Sequence, residues 1–320
     1  MDTHRILIIG ANGFVGKQLV SMLSKRDKHV IALSYSAPST VIAEHLQCDI
    51  RNADALQKAI HQAAPTQVIH LAARCHVPSS FADPQGTWET NVMGSINVLT
   101  ALQRHAPDAF TVFVSSAEVY GGAFKRGTLV SEQTPCLPLN PYAASKLAAE
   151  IAFQEHFRRG FPGVIARPFN HIGPGQSPDF VTASFAQQIA RIEAGLQPPN
   201  LKVGNLDASR DFLDVLDVCE AYASLLGLIG EERQYSRCFN VASGKPRSIS
   251  SILNTLLSLS NASIELEPDP QRMRPSDLPT AAGDSSALIS ETGWRPQRDL
   301  ETTLEQLLEY WRNKVRTELE

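Results

Sequence analysis

The chain has 320 residues, 43% of them apolar and 19% charged, with a net charge of −4. That length suits one large α/β domain or two modest ones sharing a cleft, and the composition is globular. The mild acidity argues against a broad basic surface for nucleic acid.

No apolar run approaches the roughly 18–20 residues of a membrane span, and the N-terminus lacks the apolar stretch and cleavage site of a signal peptide. The five cysteines are widely spaced and form no Cys-x-x-Cys pair. They predict reduced thiols in the cytoplasm, with neither a disulfide framework nor a metal site.

In chain order, residues 5–9 form a continuous apolar run ending in glycine, the mark of a buried parallel strand. Val15, Leu19, Met22 and Leu23 follow at helical spacing. Strands are predicted at 30–33 and 68–72, with a helix between them capped by Asn52 and running through Ile60. One long helix is predicted over 86–105, a strand over 110–115, an alanine-rich helix over 142–157 and a strand over 164–168. Repeated strand–helix units predict a Rossmann-type, doubly wound parallel sheet. Beyond it prolines cluster, with helices predicted near 182–194, 215–229, 250–259 and 300–315. The expected division is a nucleotide-binding domain over 1–168 and a smaller α/β substrate lobe over 169–320. Segments near 204–240 are expected to return to the first domain.

Between the first strand and the first helix lies Gly10-Ala11-Asn12-Gly13-Phe14-Val15-Gly16. Glycines there allow a tight turn, close approach of the backbone to a pyrophosphate and close helix–strand packing. The helix N-terminus adds free amides for the anion. At the end of the second strand, an acid would bind the ribose 2′-hydroxyl of NAD and an arginine the 2′-phosphate of NADP. Leu33-Ser34-Tyr35-Ser36 has neither. Ser34 can bond either cofactor, so the lean to NADP is slight. Asp49 reads equally as a ligand of the adenine amino group or as an exposed acid at a helix entry.

Ser115-Ser116 closes a buried strand at the edge where such sheets bind ligands. Tyr142 and Lys146 stand at i and i+4 on one helix face. An ammonium beside a phenol favours phenolate and lowers its pKa. The serine can then hold a carbonyl oxygen while the tyrosine gives or takes a proton.

With these marks, and with His70-Leu71-Ala72-Ala73, Asn91 and Arg167-Pro168-Phe169-Asn170, the chain resembles the extended short-chain dehydrogenases/reductases over almost its whole length. The stretches 75–81, 167–176, 209–215 and 269–275 resemble the branch acting on nucleotide-linked 6-deoxysugars. The resemblance implies NAD(P)H-dependent reduction of GDP-4-keto-6-deoxymannose to GDP-D-rhamnose, catalysed by Ser116, Tyr142 and Lys146. It implies a cofactor site of Gly10, Asn12, Gly13, Phe14, Val15, Gly16, Ser34, Asp49, Ile50, Leu71, Ala72, Ala73, Tyr142, Lys146 and Arg167. It implies a substrate site of Ser80, Ser116, Glu118, Asn170, Phe180, Val181, Arg210, Arg274 and Asp277. The two arginines would neutralise the diphosphate. It also implies a homodimer or dimer of dimers, built on the two helices that precede His105 and carry Tyr142. His76 and His171 read at least as readily as structural histidines.

A 4,6-dehydratase of this branch carries an acid or hydroxyl beside the glutamate of its Ser-x-Glu stretch. Here that neighbour is Ala117, which has no proton to give, so reduction ranks above dehydration, which Glu118 keeps as the runner-up; 4-epimerisation, which shares the Ser/Tyr/Lys set, ranks third. A non-enzymatic cofactor sensor of the same fold would typically have lost the tyrosine or the lysine, and both are present.

Overall fold

The computed structural model describes residues 4–26, 28–37, 43–228, 237–273 and 278–319. β1 (Arg5–Ile9) is buried over four of its five residues and leads through the glycine turn into α1 (Phe14–Ser24), which buries Leu19, Val20 and Leu23. β2 (His29–Ser34) and β3 (Glu44–Gln47) follow. Asn52 caps α2 (Ala53–Ala63) by accepting from the Ala55 amide at 3.0 Å. β4 (Gln67–His70) comes next.

The single helix expected over 86–105 is interrupted. After α3 (Val77–Ala82) come α4 (Pro84–Trp88), a π-turn over Glu89–Met93, and α5 (Gly94–His105). Within the π-turn, Asn91 is buried and bonds the Arg74 amide and carbonyl and the Ser145 hydroxyl. The wider turn accommodates this inward amide, a pairing that periodicity does not reveal.

β5 (Phe110–Val114) precedes α6 (Pro141–Arg158), which opens with Asn140 as N-cap and proline at its first position. β6 (Gly163–Pro168), β7 (Asn170–Ile172), α7 (Val181–Glu193), β8 (Asn200–Val203), β9 (Ser209–Asp214) and α8 (Val215–Leu226) follow. The chain ends with β10 (Arg237–Val241), β11 (Pro246–Ser248), α9 (Ile249–Ser258), β12 (Glu265–Pro268), β13 (Thr280–Ala281), α10 (Ser286–Thr292) and α11 (Leu300–Leu319).

Seven parallel strands form one sheet in the order β10-β6-β5-β4-β1-β2-β3. Strand order reverses between β1 and β4, and in such sheets the crevice at the carboxyl ends there receives ligands. One face buries α1 and α8 residues such as Leu19, Val218 and Tyr222. The other buries α2, α5 and α6 residues such as Leu56, Val98 and Phe153. A second sheet joins β11, β9 and β13, with β7 also paired to β9. Its apolar layer comes from α7, α9 and α11, including Phe185, Leu253 and Trp311. Among the described residues no helix is long and apolar enough to cross a membrane.

Candidate active site

The crevice begins at the glycine turn. Gly10 has φ +96°, and a Cβ there would lie 2.7 Å from the Ala72 amide nitrogen. A Cβ on Gly16 would collide with the Gly10 carbonyl. The turn therefore packs against Ala72 at the end of β4 only without side chains. Gly13 is the N-cap of α1 and brings no side chain to the first amides, which suits an anion. Phe14 stacks on His171 with ring centroids 6.1 Å apart, linking this turn to the second sheet. Val15 is half-buried beside it and accepts a weak bond from the Cys219 thiol. Leu71 and Ala73 flank Ala72, both half-buried.

At the end of β2, the Ser34 hydroxyl donates to the Ser36 carbonyl at 2.8 Å and lies 2.7 Å from His45 Nε2. The Asn12 amide donates to the Ser36 carbonyl at 2.6 Å. His45 escaped the sequence reading, because only strand pairing places it beside Ser34. Asp49 is held bidentately by Arg51, whose guanidinium keeps its carboxyl below the usual range. Ile50 turns its side chain into the core against Gly94.

The structure brings Ser116, Tyr142 and Lys146 together. Ser116 follows β5 and accepts from the Glu118 amide at 3.2 Å. Tyr142 and Lys146 are both buried on α6. The Lys146 ammonium donates to the Val114 carbonyl at 2.6 Å and sits 4.5 Å from the centre of the Phe113 ring. The expected lowering of the tyrosine pKa is not found. Burial raises it well above the ordinary phenol value, and the hydrogen bond to Ser116 only partly opposes this. Burial also pushes Lys146 down to about 8, against the pull of Glu150. The Cys75 thiol, just beyond β4, has its pKa raised by burial, partly opposed by the Lys146 charge.

Two further expectations change. Ser80 is 1% exposed: its hydroxyl donates to the Val77 carbonyl and accepts from the Tyr142 amide at 3.2 Å. It supports the start of α6 instead of opening to a substrate. Arg167, expected at the cofactor, is buried in a two-pronged pair with Glu150 and donates to the Tyr120 hydroxyl at 2.9 Å. A guanidinium in an apolar setting is retained by such partners.

Asn140 both caps α6 and donates to the Glu118 carboxylate at 3.2 Å, beside the buried methyl of Ala117. Asn170 is exposed at the start of β7, and Phe180 and Val181 open α7, with Phe180 edge-on to His76. Arg210 on β9 donates to the Ser209 and Leu278 carbonyls. Arg274 and Asp277 lie outside the described residues. His76 meets Ser79 and His171 meets the Phe169 carbonyl, the local partners of structural histidines.

A family model described as GDP-mannose 4,6 dehydratase matches residues 7–307. The GDP-6-deoxy-D-mannose reductase of Pseudomonas aeruginosa is 36% identical over 317 residues, 99% of this chain and 100% of the relative. The solved structure of RMD from Pseudomonas aeruginosa complexed with NADPH superposes with a TM-score of 0.85 at 35% identity, covering 98% and 100% of the two chains. A Thermus thermophilus UDP-glucose 4-epimerase in complex with NAD gives 0.84 at 27% identity, covering 96% and 99%.

Proposed function

We propose, since the chain belongs to the GDP-mannose 4,6 dehydratase family of extended short-chain dehydrogenases/reductases, that it reduces the 4-keto group of GDP-4-keto-6-deoxy-D-mannose to give GDP-D-rhamnose, in nucleotide-sugar synthesis in the cytoplasm. The residues present suit a nicotinamide cofactor. The backbone of the glycine turn is open to a pyrophosphate, and the first amides of α1 carry no side-chain cap. Ser115 Oγ, at the carboxyl end of β5, is buried without a hydrogen-bond partner among the described residues. When bound, reduced NADP or NAD supplies the hydride for C4.

The chain's own groups do the rest. Tyr142 holds a proton at its hydroxyl and delivers it to the 4-oxygen as negative charge develops there. Ser116 shares the hydrogen bond and orients that oxygen. Lys146 sets a positive charge one helical turn from the phenol, which stabilises the phenolate left after transfer. The half of the chain built on β1–β6, α8 and β10 serves the cofactor. The lobe built on β7, β9, α7, α9 and α11 serves the sugar nucleotide, with Asn170, Phe180, Val181, Arg210, Arg274 and Asp277 as contacts. Helices α3–α6 form the homodimer face.

The observation that carries reduction over dehydration is Ala117. Loss of water from the sugar ring needs a base and an acid together, and Ala117 leaves Glu118 without a proton-donating neighbour. Incubation with GDP-4-keto-6-deoxymannose is expected to consume NAD(P)H one-to-one and yield the reduced sugar nucleotide. GDP-mannose with catalytic NADP is expected to return unchanged by mass spectrometry. Loss of water from GDP-mannose would reverse the assignment.

A further inference from the structure

Asn140 stands at the junction of the two elements that carry the catalytic groups. Its backbone is extended and it is the N-cap of α6, whose second residue is Tyr142. Its side-chain Oδ1 accepts from the Ala143 amide at 2.7 Å, and its Nδ2 donates to Glu118 Oε2 at 3.2 Å. The two bonds together fix the orientation of the amide, because only its oxygen can accept from Ala143 and only its nitrogen can donate to a carboxylate. Glu118 belongs to a 3-10 turn over Ala117–Tyr120, and its own backbone amide donates to Ser116 Oγ at 3.2 Å. One planar side chain thus ties the turn that orients Ser116 to the helix end that presents Tyr142.

The backbone brings the same two segments together. The Gly122 amide donates to the Leu137 carbonyl at 2.8 Å, and Gly121, with φ +44°, has no room for a Cβ beside that oxygen. The segment leading into α6 is therefore packed on the turn after Ser116, and Asn140 adds a side-chain link two residues from Tyr142. Capping alone does not call for asparagine, since Ser and Asp cap as well. Asparagine adds a donor on a second atom, and here that donor goes to Glu118. The Glu118 amide in turn fills one acceptor site of Ser116 and leaves the Ser116 hydroxyl proton for another oxygen. We propose that Asn140 is a positioning residue for the reaction: by capping α6 and holding Glu118, it fixes Ser116 against Tyr142 so that both hydroxyls meet one substrate oxygen. The inference rests on the roles proposed above for Ser116 and Tyr142.

This geometry makes the residue at 140 informative. An aspartate keeps the shape and the cap, and its charge suits a helix N-terminus. It also turns a second carboxylate towards Glu118, where like charges repel. A serine keeps the cap and is too short to reach Glu118. A residue that served α6 alone would tolerate either change. Combining Asn140→Asp with Glu118→Gln exchanges donor and acceptor and restores the bond.

The test compares Asn140→Asp in the wild-type and Glu118→Gln backgrounds, with Asn140→Ser alongside and folding checked by circular dichroism. Asn140→Asp and Asn140→Ser are each expected to lower kcat about tenfold or more, with NADPH affinity kept in a fluorescence titration, because misplacing reacting groups costs up to about 10² in rate. In the Glu118→Gln background the same aspartate is expected to cost no more than about twofold relative to Glu118→Gln alone, the scatter of independent sites. A wild-type kcat in the aspartate variant, or an equal loss in both backgrounds, would overturn the proposal. If the aspartate variant does not fold or Glu118→Gln is inactive, Asn140→Ser decides: a wild-type kcat there would overturn the proposal. Failure of both Asn140 variants to fold would make the residue purely structural and overturn it too. If the wild type turned over no 4-keto sugar, the proposed function would fail, and a crystal structure of Asn140→Ser would still judge Asn140. Ser116 is then expected to move away from Tyr142, and an unmoved pair would overturn the inference.

Discussion

Tyr142 and Lys146 share one face of α6 and one buried environment, yet burial moves them towards neutrality from opposite sides. The phenol becomes harder to ionise, and the ammonium easier to deprotonate. For a reductase this arrangement is useful, because the acid must carry its proton when the substrate arrives. An enzyme running mainly as a dehydrogenase would want the reverse. Replacing Tyr142 with phenylalanine removes the proton donor and keeps the ring. A positioned acid contributes about 10²–10⁴ in rate, so kcat is expected to fall by that factor while NADPH affinity changes little. Steady-state kinetics paired with a fluorescence titration check this, and a variant retaining half of the wild-type kcat would exclude Tyr142 as the acid.

At the scale of elements, the end of β2 governs the choice of cofactor. Ser34, Ser36, Asn12 and His45 form a hydrogen-bonded cluster of neutral groups there, and burial lowers the pKa of His45. No carboxylate at 33–36 stands against a 2′-phosphate, and no arginine there attracts one. The neighbouring Arg51 is occupied by Asp49. Both NADPH and NADH are therefore expected to support turnover, with NADPH modestly favoured. The ratio of their kcat/KM values decides the matter, and a preference for NADH above about a hundredfold, roughly 2.8 kcal/mol of differential binding, would contradict it.

Across the whole molecule, large apolar side chains stay exposed on neighbouring helical segments. Phe81 on α3 is 59% exposed, Met93 on the π-turn 54% and Ile151 on α6 56%, and Trp88 and Ile96 are also exposed nearby. Contiguous apolar patches of this kind are characteristic of interaction surfaces in general. A second copy applying the same face would bury it by two-fold symmetry, as closed dimers do. Sedimentation at micromolar concentration is expected to give a dimer or a dimer of dimers. Ile151→Glu is expected to shift it towards monomer, and a wild-type monomer under those conditions would remove the interface.

Local chemistry was legible in the amino-acid sequence. Apolar runs marked β1, β4 and β5, Asn52 marked the start of α2, the glycine spacing marked the phosphate turn, and the i, i+4 spacing put Tyr142 and Lys146 on one face. Each of these signals is complete within a few residues, because strand burial, capping and helical periodicity depend on near neighbours. Tertiary structure alone decided who meets whom across the chain. It brought β10 beside β6, set Asn91 against Ser145 through a π-turn, and turned Ser80 into a support for the Tyr142 amide. It also withdrew Arg167 into a pair with Glu150. A buried polar group must find a partner, that partner can lie anywhere in the sequence, and the depth of burial that shifts a phenol or an ammonium exists only once the layers have packed.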